Sequence, residues 1–241
     1  MLKFIGTGSA FNTELGNNGA FIKKGNKLLL IDCGSNTFDR IRKHNLLDGV
    51  DHIHVLLTHT HPDHIGSLGD LIFYGYYAMG EMMKPNVTVL APKALRIDRI
   101  LELTGVDAKT YNFVSVEDKV GMGLYYRDFQ FTFQAVPVTH VSELHCYGYI
   151  INHDGKRAYY SGDSNMIPHD ILDDLNLGCF DYFYQDTCKA HYDGNVHLSL
   201  NKLNQLVNSN MRDRVYCMHL DGGFVREEAE YLGFNVVKNE F

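Results

Sequence analysis

An αββα sandwich in one domain over residues 1–241 is the fold class this sequence predicts, with two packed mixed β-sheets and helices on their outer faces. Three observations lead there. Short apolar runs bounded by glycine and polar turns dominate both halves of the chain, and helical spacings are interleaved among them. No linker, low-complexity tract or sequence repeat divides the 241 residues. The composition, 45% hydrophobic and 21% charged with five prolines, suits a chain that buries a sizeable core.

Taken in order, "LKFIG", "GAFIKK", "KLLLIDCG" and "HIHVLLTH" read as strands, punctuated by Gly6, Gly8, Gly19, Gly25 and Gly34. "SNTFDRIRKHNL" spaces Phe38, Ile41 and Leu46 roughly as a helix does, with Ser35 as its expected cap. "IGSLGDLIFYGYYAMGEMM" is long and apolar enough for a buried helix. "NVTVLAP" is then a strand, and "KALRIDRILELTG" an amphipathic helix ending at Gly105. The second half repeats the idiom. Strands are expected at "YNFVSV", "FQFTFQAVPV", "CYGYIIN", "KRAYYSGD" and "CFDYFYQDT", with "RVYCMHL" as the last core strand. Helices are expected near "PHDILDDL" and at "LSLNKLNQLVNS".

Charge and composition exclude several partners. The formal net charge of −7 comes from 22 basic and 29 acidic residues with no basic block, so long nucleic acid is not expected. Small anions stay open, because bound cations supply positive charge that a residue count omits. No apolar run is long enough for a membrane span. The opening "MLKFIGTGSAF" lacks the apolar stretch of a signal peptide, so a cytoplasmic location is expected. Cys33, Cys146, Cys179, Cys188 and Cys217 are scattered and form no CxxC pair, and each is expected as a small buried hydrophobe.

The chemistry concentrates in "LLTHTHPDHIGSLGD", where His59, His61, Asp63 and His64 follow a strand and precede a helix. Neutral imidazole and carboxylate are what a metal ion requires, and strand ends let side chains converge without sacrificing the core. One loop cannot complete a coordination shell, but three later strands end on the same residue types: His140 after "QAVPVT", Asp163 after "YYSG" and His219 after "YCM". They divide into His59, His61, His140 and Asp163 for one ion, and Asp63, His64, Asp163 and His219 for a second, with Asp163 bridging. Nitrogen and oxygen donors without sulfur suit zinc, with manganese as the harder alternative. Asp32 in "IDCG" is read as stabilising a turn.

"HTHPDH", His140, "SGD" and "MHL" in that order resemble the metal motifs of the metallo-β-lactamase fold, over nearly the whole chain. Asp163 stands where true β-lactamases have a cysteine, and His61 where the di-iron oxidoreductase branch has a glutamate. The opening "GTGSAF" with "LLLIDCG" is similar to the tRNase Z-like phosphodiesterase branch. "YQDTCKAHYDGNVHLSL" resembles that branch's acidic "EAT" and "HST" elements, with Asp186 for the glutamate, His197 for the histidine and Leu198 in place of serine. The resemblance implies that Asp186 orients His197, which protonates the leaving oxygen.

A hydroxide shared and activated by two cations would attack phosphorus, with Asp63 binding metal and orienting the nucleophile. Only 23 positions separate His140 from Asp163, too few for the arm that grips tRNA in long-armed tRNase Z enzymes. The chain is most similar to the anti-Pycsar cyclic-nucleotide phosphodiesterases of phages and bacteria. That resemblance implies two divalent ions and hydrolysis of cCMP and cUMP, with cAMP and cGMP as further substrates, to 5′-nucleotides. The alternative is tRNA 3′-end processing. The anti-Pycsar resemblance also implies a homodimer; "LIFYGYYAMGEMM" reads either as its interface or as a core helix, and Tyr111 is a candidate to stack on the base.

Overall fold

The computed structural model describes residues 1–117, 121–126 and 129–241. Among these, two mixed sheets pack face to face. The first comprises β1 (Lys3–Gly6), β2 (Gly19–Lys24), β3 (Lys27–Ile31), β4 (His52–Leu56), β5 (Val87–Pro92) and β6 (Asn112–Val116), neighbours in chain order. The β1–β3 part is antiparallel, and β3 to β6 are parallel. The second sheet comprises β7 (Gly121–Tyr126), β8 (Phe129–Val138), β9 (Cys146–His153), β10 (Lys156–Tyr160), β11 (Tyr182–Asp186), β12 (Val215–Met218) and β13 (Asn235–Val236). Here β7–β10 is an antiparallel meander, and β10 to β13 are parallel. The sequence carries no repeat, yet both halves follow one plan.

Burial explains the strand patterns. β3, β4 and β5 are apolar and buried almost end to end, as expected of parallel strands covered on both faces. The core between the sheets joins Leu28–Ile31 and Ile53–Leu57 to Phe131, Phe133, Tyr149 and Tyr160 of the second sheet. A second core lies outside β11 and β12, where α5 (His169–Asn176), α6 (Leu200–Leu206) and α7 (Arg226–Tyr231) bring Ile171, Leu175, Leu200, Leu203 and Ala229 against Phe180, Phe183 and Val215. The fully buried Leu198 belongs to this second core.

The helices correct several expectations. α1 (Thr37–Lys43) is preceded by Asn36, not Ser35, and the Ser35 hydroxyl instead donates to the Pro62 carbonyl. Ser67 Oγ accepts the Phe38 N–H at 3.1 Å, so a residue 29 positions away serves the helix start. The long apolar stretch forms a short turn α2 (Pro62–Ile65) and a helix α3 (Leu68–Tyr77) that stops well before Met82. "KALRIDRILELTG" divides at Arg96, whose left-handed φ of 48° separates a single 3₁₀ turn from α4 (Ile97–Leu103). β7, β13 and α7 were not anticipated. Cys179 is exposed, while the other four cysteines are buried as expected.

Candidate metal centre

All the predicted ligands lie beyond the carboxyl ends of strands, where the two sheets open toward one another. β4 leads into the histidine loop, β8 into His140, β10 into Asp163, β11 ends on Asp186 and β12 leads into His219. Two turns there need unusual backbone. Gly162 adopts φ +59°, and a Cβ on it would lie 2.5 Å from the Tyr147 carbonyl oxygen, so only glycine fits between β10 and Asp163. His219 itself has φ 58°, a conformation uncommon for a residue with a side chain and one found disproportionately at functional sites.

Around these turns the imidazoles are aimed by their outer nitrogens. Asp32 is fully buried and accepts from Thr58 N–H, Thr58 Oγ1 and His64 Nδ1, each at 2.8 Å. Because Thr58 donates its hydroxyl proton to Asp32, its oxygen accepts from His59 Nδ1, 3.1 Å away. His140 Nδ1 donates to the Val196 carbonyl at 2.8 Å. His219 Nδ1 faces Asp186 Oδ1 at 3.4 Å. In His59, His64 and His140 the hydrogen bond at Nδ1 leaves Nε2 as the inward atom, the tautomer a metal ligand requires. Asp32 thus does more than hold a turn. It orients His64 directly and His59 through Thr58.

The inward atoms fall into the two groups expected from the sequence. One is His59, His61, His140 and Asp163; the other is Asp63, His64, Asp163 and His219; within each, ligand atoms lie within 4.8 Å of one another. His61 Nδ1 lies 3.0 Å from His59 Nε2 and 3.3 Å from His140 Nε2. Tetrahedral zinc with bonds of about 2.0–2.1 Å would space its nitrogens by roughly 3.4 Å. Asp163 reaches both groups, with Oδ2 3.8 Å from His59 and His140 Nε2 and Oδ1 3.3 Å from His64 Nε2. His64 Nε2 and Asp163 Oδ1 are buried without any hydrogen-bond partner. Such atoms are costly unless something polar lies between them, and a pair of cations fits the donor set.

Electrostatics separates the rings. Burial and the neighbouring His64 hold His59 well below the usual histidine range, leaving it neutral. Burial also disfavours charge on His64, but Asp163 and Asp32 outweigh it and raise that ring well above its ordinary value. Three carboxylates, Asp63, Asp163 and Asp186, therefore surround the second group with excess negative charge.

A third group, Asp163, Asp186, His197 and His219, lies alongside. Here Asp186 Oδ2 accepts from His197 Nδ1 at 2.7 Å and from the Ser164 N–H at 2.9 Å. Burial would lower His197, yet Asp186 overcomes it and raises the ring above the ordinary value. A quarter of the His197 side chain stays exposed, and its ring lies 4.9 Å from those of His140 and His219. The serine-to-leucine departure leaves this pair intact because Leu198 turns into the core.

Above the ligands opens a chamber of about 510 Å³. His61, Asp63, His140, Asp163, His197 and His219 form its floor, while Phe11, Asn17 and Asn36 belong to its wall. Those three were not anticipated from the sequence. Tyr111 is a correction: it is buried, and it lines a separate hollow with Asp98, Glu102 and Val106. Its place after α4, just before β6 at the edge of the first sheet, keeps it from the chamber.

The family model described as Anti-Pycsar protein Apyc1 matches residues 1–240. An Anti-Pycsar protein Apyc1 of Bacillus phage BSP38 is 29% identical over 231 residues, covering 90% of this chain and 88% of its own. One of Paenibacillus xerothermodurans is 27% identical over 240 residues, covering 96% and 90%. The metallo-β-lactamase fold protein YhfI from Bacillus subtilis superposes with a TM-score of 0.75 at 19% identity, covering 100% of this chain and 97% of that one. That likeness identifies the sandwich as a metallo-β-lactamase fold.

Proposed function

The chain belongs to the Anti-Pycsar protein Apyc1 family, and from that membership and the site geometry we propose that it is a dimetal hydrolase of 3′,5′-cyclic nucleotides, cCMP and cUMP foremost. Its products would be 5′-nucleotides, and its role the removal of an antiviral signal in an infected bacterium. The observation that carries this reading is the joint arrangement of two four-donor groups sharing Asp163 with a hydrogen-bonded His197–Asp186 pair at the same chamber floor.

When bound, two divalent cations, zinc or manganese, supply Lewis acidity toward the phosphoryl oxygens and a water-derived nucleophile at neutral pH. The chain's residues supply the rest. Asp63, with Oδ2 3.3 Å from His64 Nε2 and 3.4 Å from His219 Nε2, would help hold the second cation and orient the attacking water. His197 delivers a proton from Nε2 to the leaving 3′-oxygen, and Asp186 holds its Nδ1–H and favours the charged ring. Lesser demands fit a lactone or thioester, which needs no such proton donor; the pair therefore favours a phosphodiester.

The tRNA alternative is less well supported. The 23 positions from His140 to Asp163 hold β9, a tight turn and β10, with no protruding arm. We further propose a homodimer through the exposed end of α3. The deciding experiment is product analysis with cCMP, cUMP, cAMP, cGMP and precursor tRNA, with zinc or manganese added to chelator-treated protein. The expected result is 5′-nucleotide from the cyclic substrates, lost in Asp163→Ala and His61→Ala. Cleavage of the tRNA alone would overturn the assignment.

A further inference from the structure

The chamber has a wall that chemistry at phosphorus does not use. Phe11, Pro62, Val141 and Val196 make it apolar, and the amides of Asn17 and Asn36 interrupt it. Phe11 is 96% exposed, the most exposed of the large apolar side chains among the described residues. Water around a whole phenyl ring is unfavourable, and this bare ring lines the mouth of the chamber, where a bound ligand would cover it.

The ring is fixed. Asn12 N–H donates to the Ser9 carbonyl at 3.0 Å, closing a turn with Ala10 and Phe11 at its tip. Ser9 N–H and Asn12 Nδ2 both donate to the Leu220 carbonyl, at 3.0 and 3.1 Å. Leu220 follows the ligand His219, so the tip is tied to the floor by one peptide unit. Gly8 permits this closeness: a Cβ there would lie 2.5 Å from the Asn12 carbonyl oxygen. Phe11 also borders a shallower hollow with Leu220 and Arg226, placing it on the ridge of the chamber mouth.

The wall also indicates what occupies it. Asn17 Oδ1 accepts the Asn36 N–H at 3.1 Å, and Asn36 Oδ1 accepts the Asn17 N–H at 3.0 Å. Each amide oxygen is thereby committed, which turns both NH₂ groups outward from the clasp as donors. No lysine or arginine lines the chamber among the described residues, so nothing there neutralises a second phosphate. A chamber of this size, with one anion-binding floor, an apolar wall and amide donors, fits one phosphate joined to one planar heterocycle.

We propose that Phe11 is a specificity-determining residue, the platform on which the base of a mononucleotide stacks while its phosphate lies on the histidine floor. This rests on the phosphodiesterase reading above. Every base has a face to stack, so Phe11 selects for the presence of a base and tolerates its identity.

The test is steady-state kinetics of the metal-loaded enzyme on cCMP, cAMP and base-free ribose 3′,5′-cyclic phosphate. Phe11→Ala should raise KM for both nucleotides on the order of tenfold, given the usual worth of one stacked base, with kcat unchanged. The base-free ester should respond equally to wild type and variant, and Phe11→Tyr should restore the nucleotide KM. An unchanged KM, or the same rise on the base-free ester, would overturn the platform. Should wild type hydrolyse no cyclic nucleotide, the assigned reaction falls and the platform is judged by equilibrium binding of CMP and AMP against ribose 5-phosphate. A nucleotide preference that disappears in Phe11→Ala keeps it; absence of preference in wild type removes it.

Discussion

Asp186 divides its two oxygens between two imidazoles, His197 at 2.7 Å and the candidate ligand His219 at 3.4 Å. If His197 is the proton donor, its value depends on how badly the leaving group needs a proton. A ribose alkoxide needs one and p-nitrophenolate does not. His197→Ala should therefore lower kcat on cCMP by roughly 10²–10⁴-fold while leaving bis(p-nitrophenyl) phosphate hydrolysis and bound metal near wild type. Equal losses on both substrates would assign His197 a positioning role instead. Asp32 offers a second residue-scale test. It supports His64 and, through Thr58, His59, so Asp32→Asn should weaken zinc binding by about 10- to 100-fold in titrations of chelator-treated protein. Unchanged affinity would return Asp32 to the role of a turn residue. That modest role was all the sequence revealed, because "IDCG" looks like any strand ending in a tight turn. The partnership with His64 spans 32 positions and has no local signature. The seven candidate ligands were legible for the opposite reason: each is a histidine or aspartate at or shortly after the end of an apolar strand.

At the scale of elements, strands were easier to read than helices. Parallel strands buried on both faces are continuous apolar runs, and turns mark their ends. The helices were overextended because their apolar content does not reveal where a backbone must turn, as at Arg96. α7, "REEAEY", buries Ala229 alone and offers no apolar periodicity to find. β4 also carries a titratable group away from the site. His54 is buried against His52, with ring centroids 4.8 Å apart, and near Lys27, itself paired with Asp51. Burial, then His52 and Lys27, push its pKa down to about 3. The folded state thus keeps His54 neutral where the unfolded chain takes up a proton, below about pH 6.5. The unfolded state binds more protons there, so stability falls as pH falls through that range. Between pH 7 and pH 5 the loss from His54 should be about 2 kcal/mol. Urea midpoints should show His54→Gln losing less stability than wild type by that amount, and parallel pH slopes would refute the assignment.

For the whole molecule, the repeated topology matters more than either sheet. Each half contributes strand ends to one seam, so neither half alone holds a complete set of ligands. A sequence without a repeat hides this, since the two halves share a plan of connections and not a pattern of residues. The same scale raises the question of a second copy. The segment read as the dimer interface has two sides. Leu71, Ile72, Gly75 and Tyr76 of α3 are buried in the core, whereas Tyr77, Met82 and Met83 are 52%, 66% and 64% exposed. Core packing therefore accounts for the inner side only, and the outer side remains an apolar surface that a twofold pairing would cover with its own copy. None of the three lines the chamber, so self-association and turnover are separable. Sedimentation equilibrium of wild type should give twice the mass of one chain. Tyr77→Glu combined with Met83→Glu should give the mass of a single chain with cyclic-nucleotide turnover retained, because burying two carboxylates at a paired apolar face is strongly unfavourable. A double variant that still pairs would move the interface elsewhere on the molecule. A wild type that sediments as one chain would leave the exposed patch of Tyr77, Met82 and Met83 without a homodimer to make.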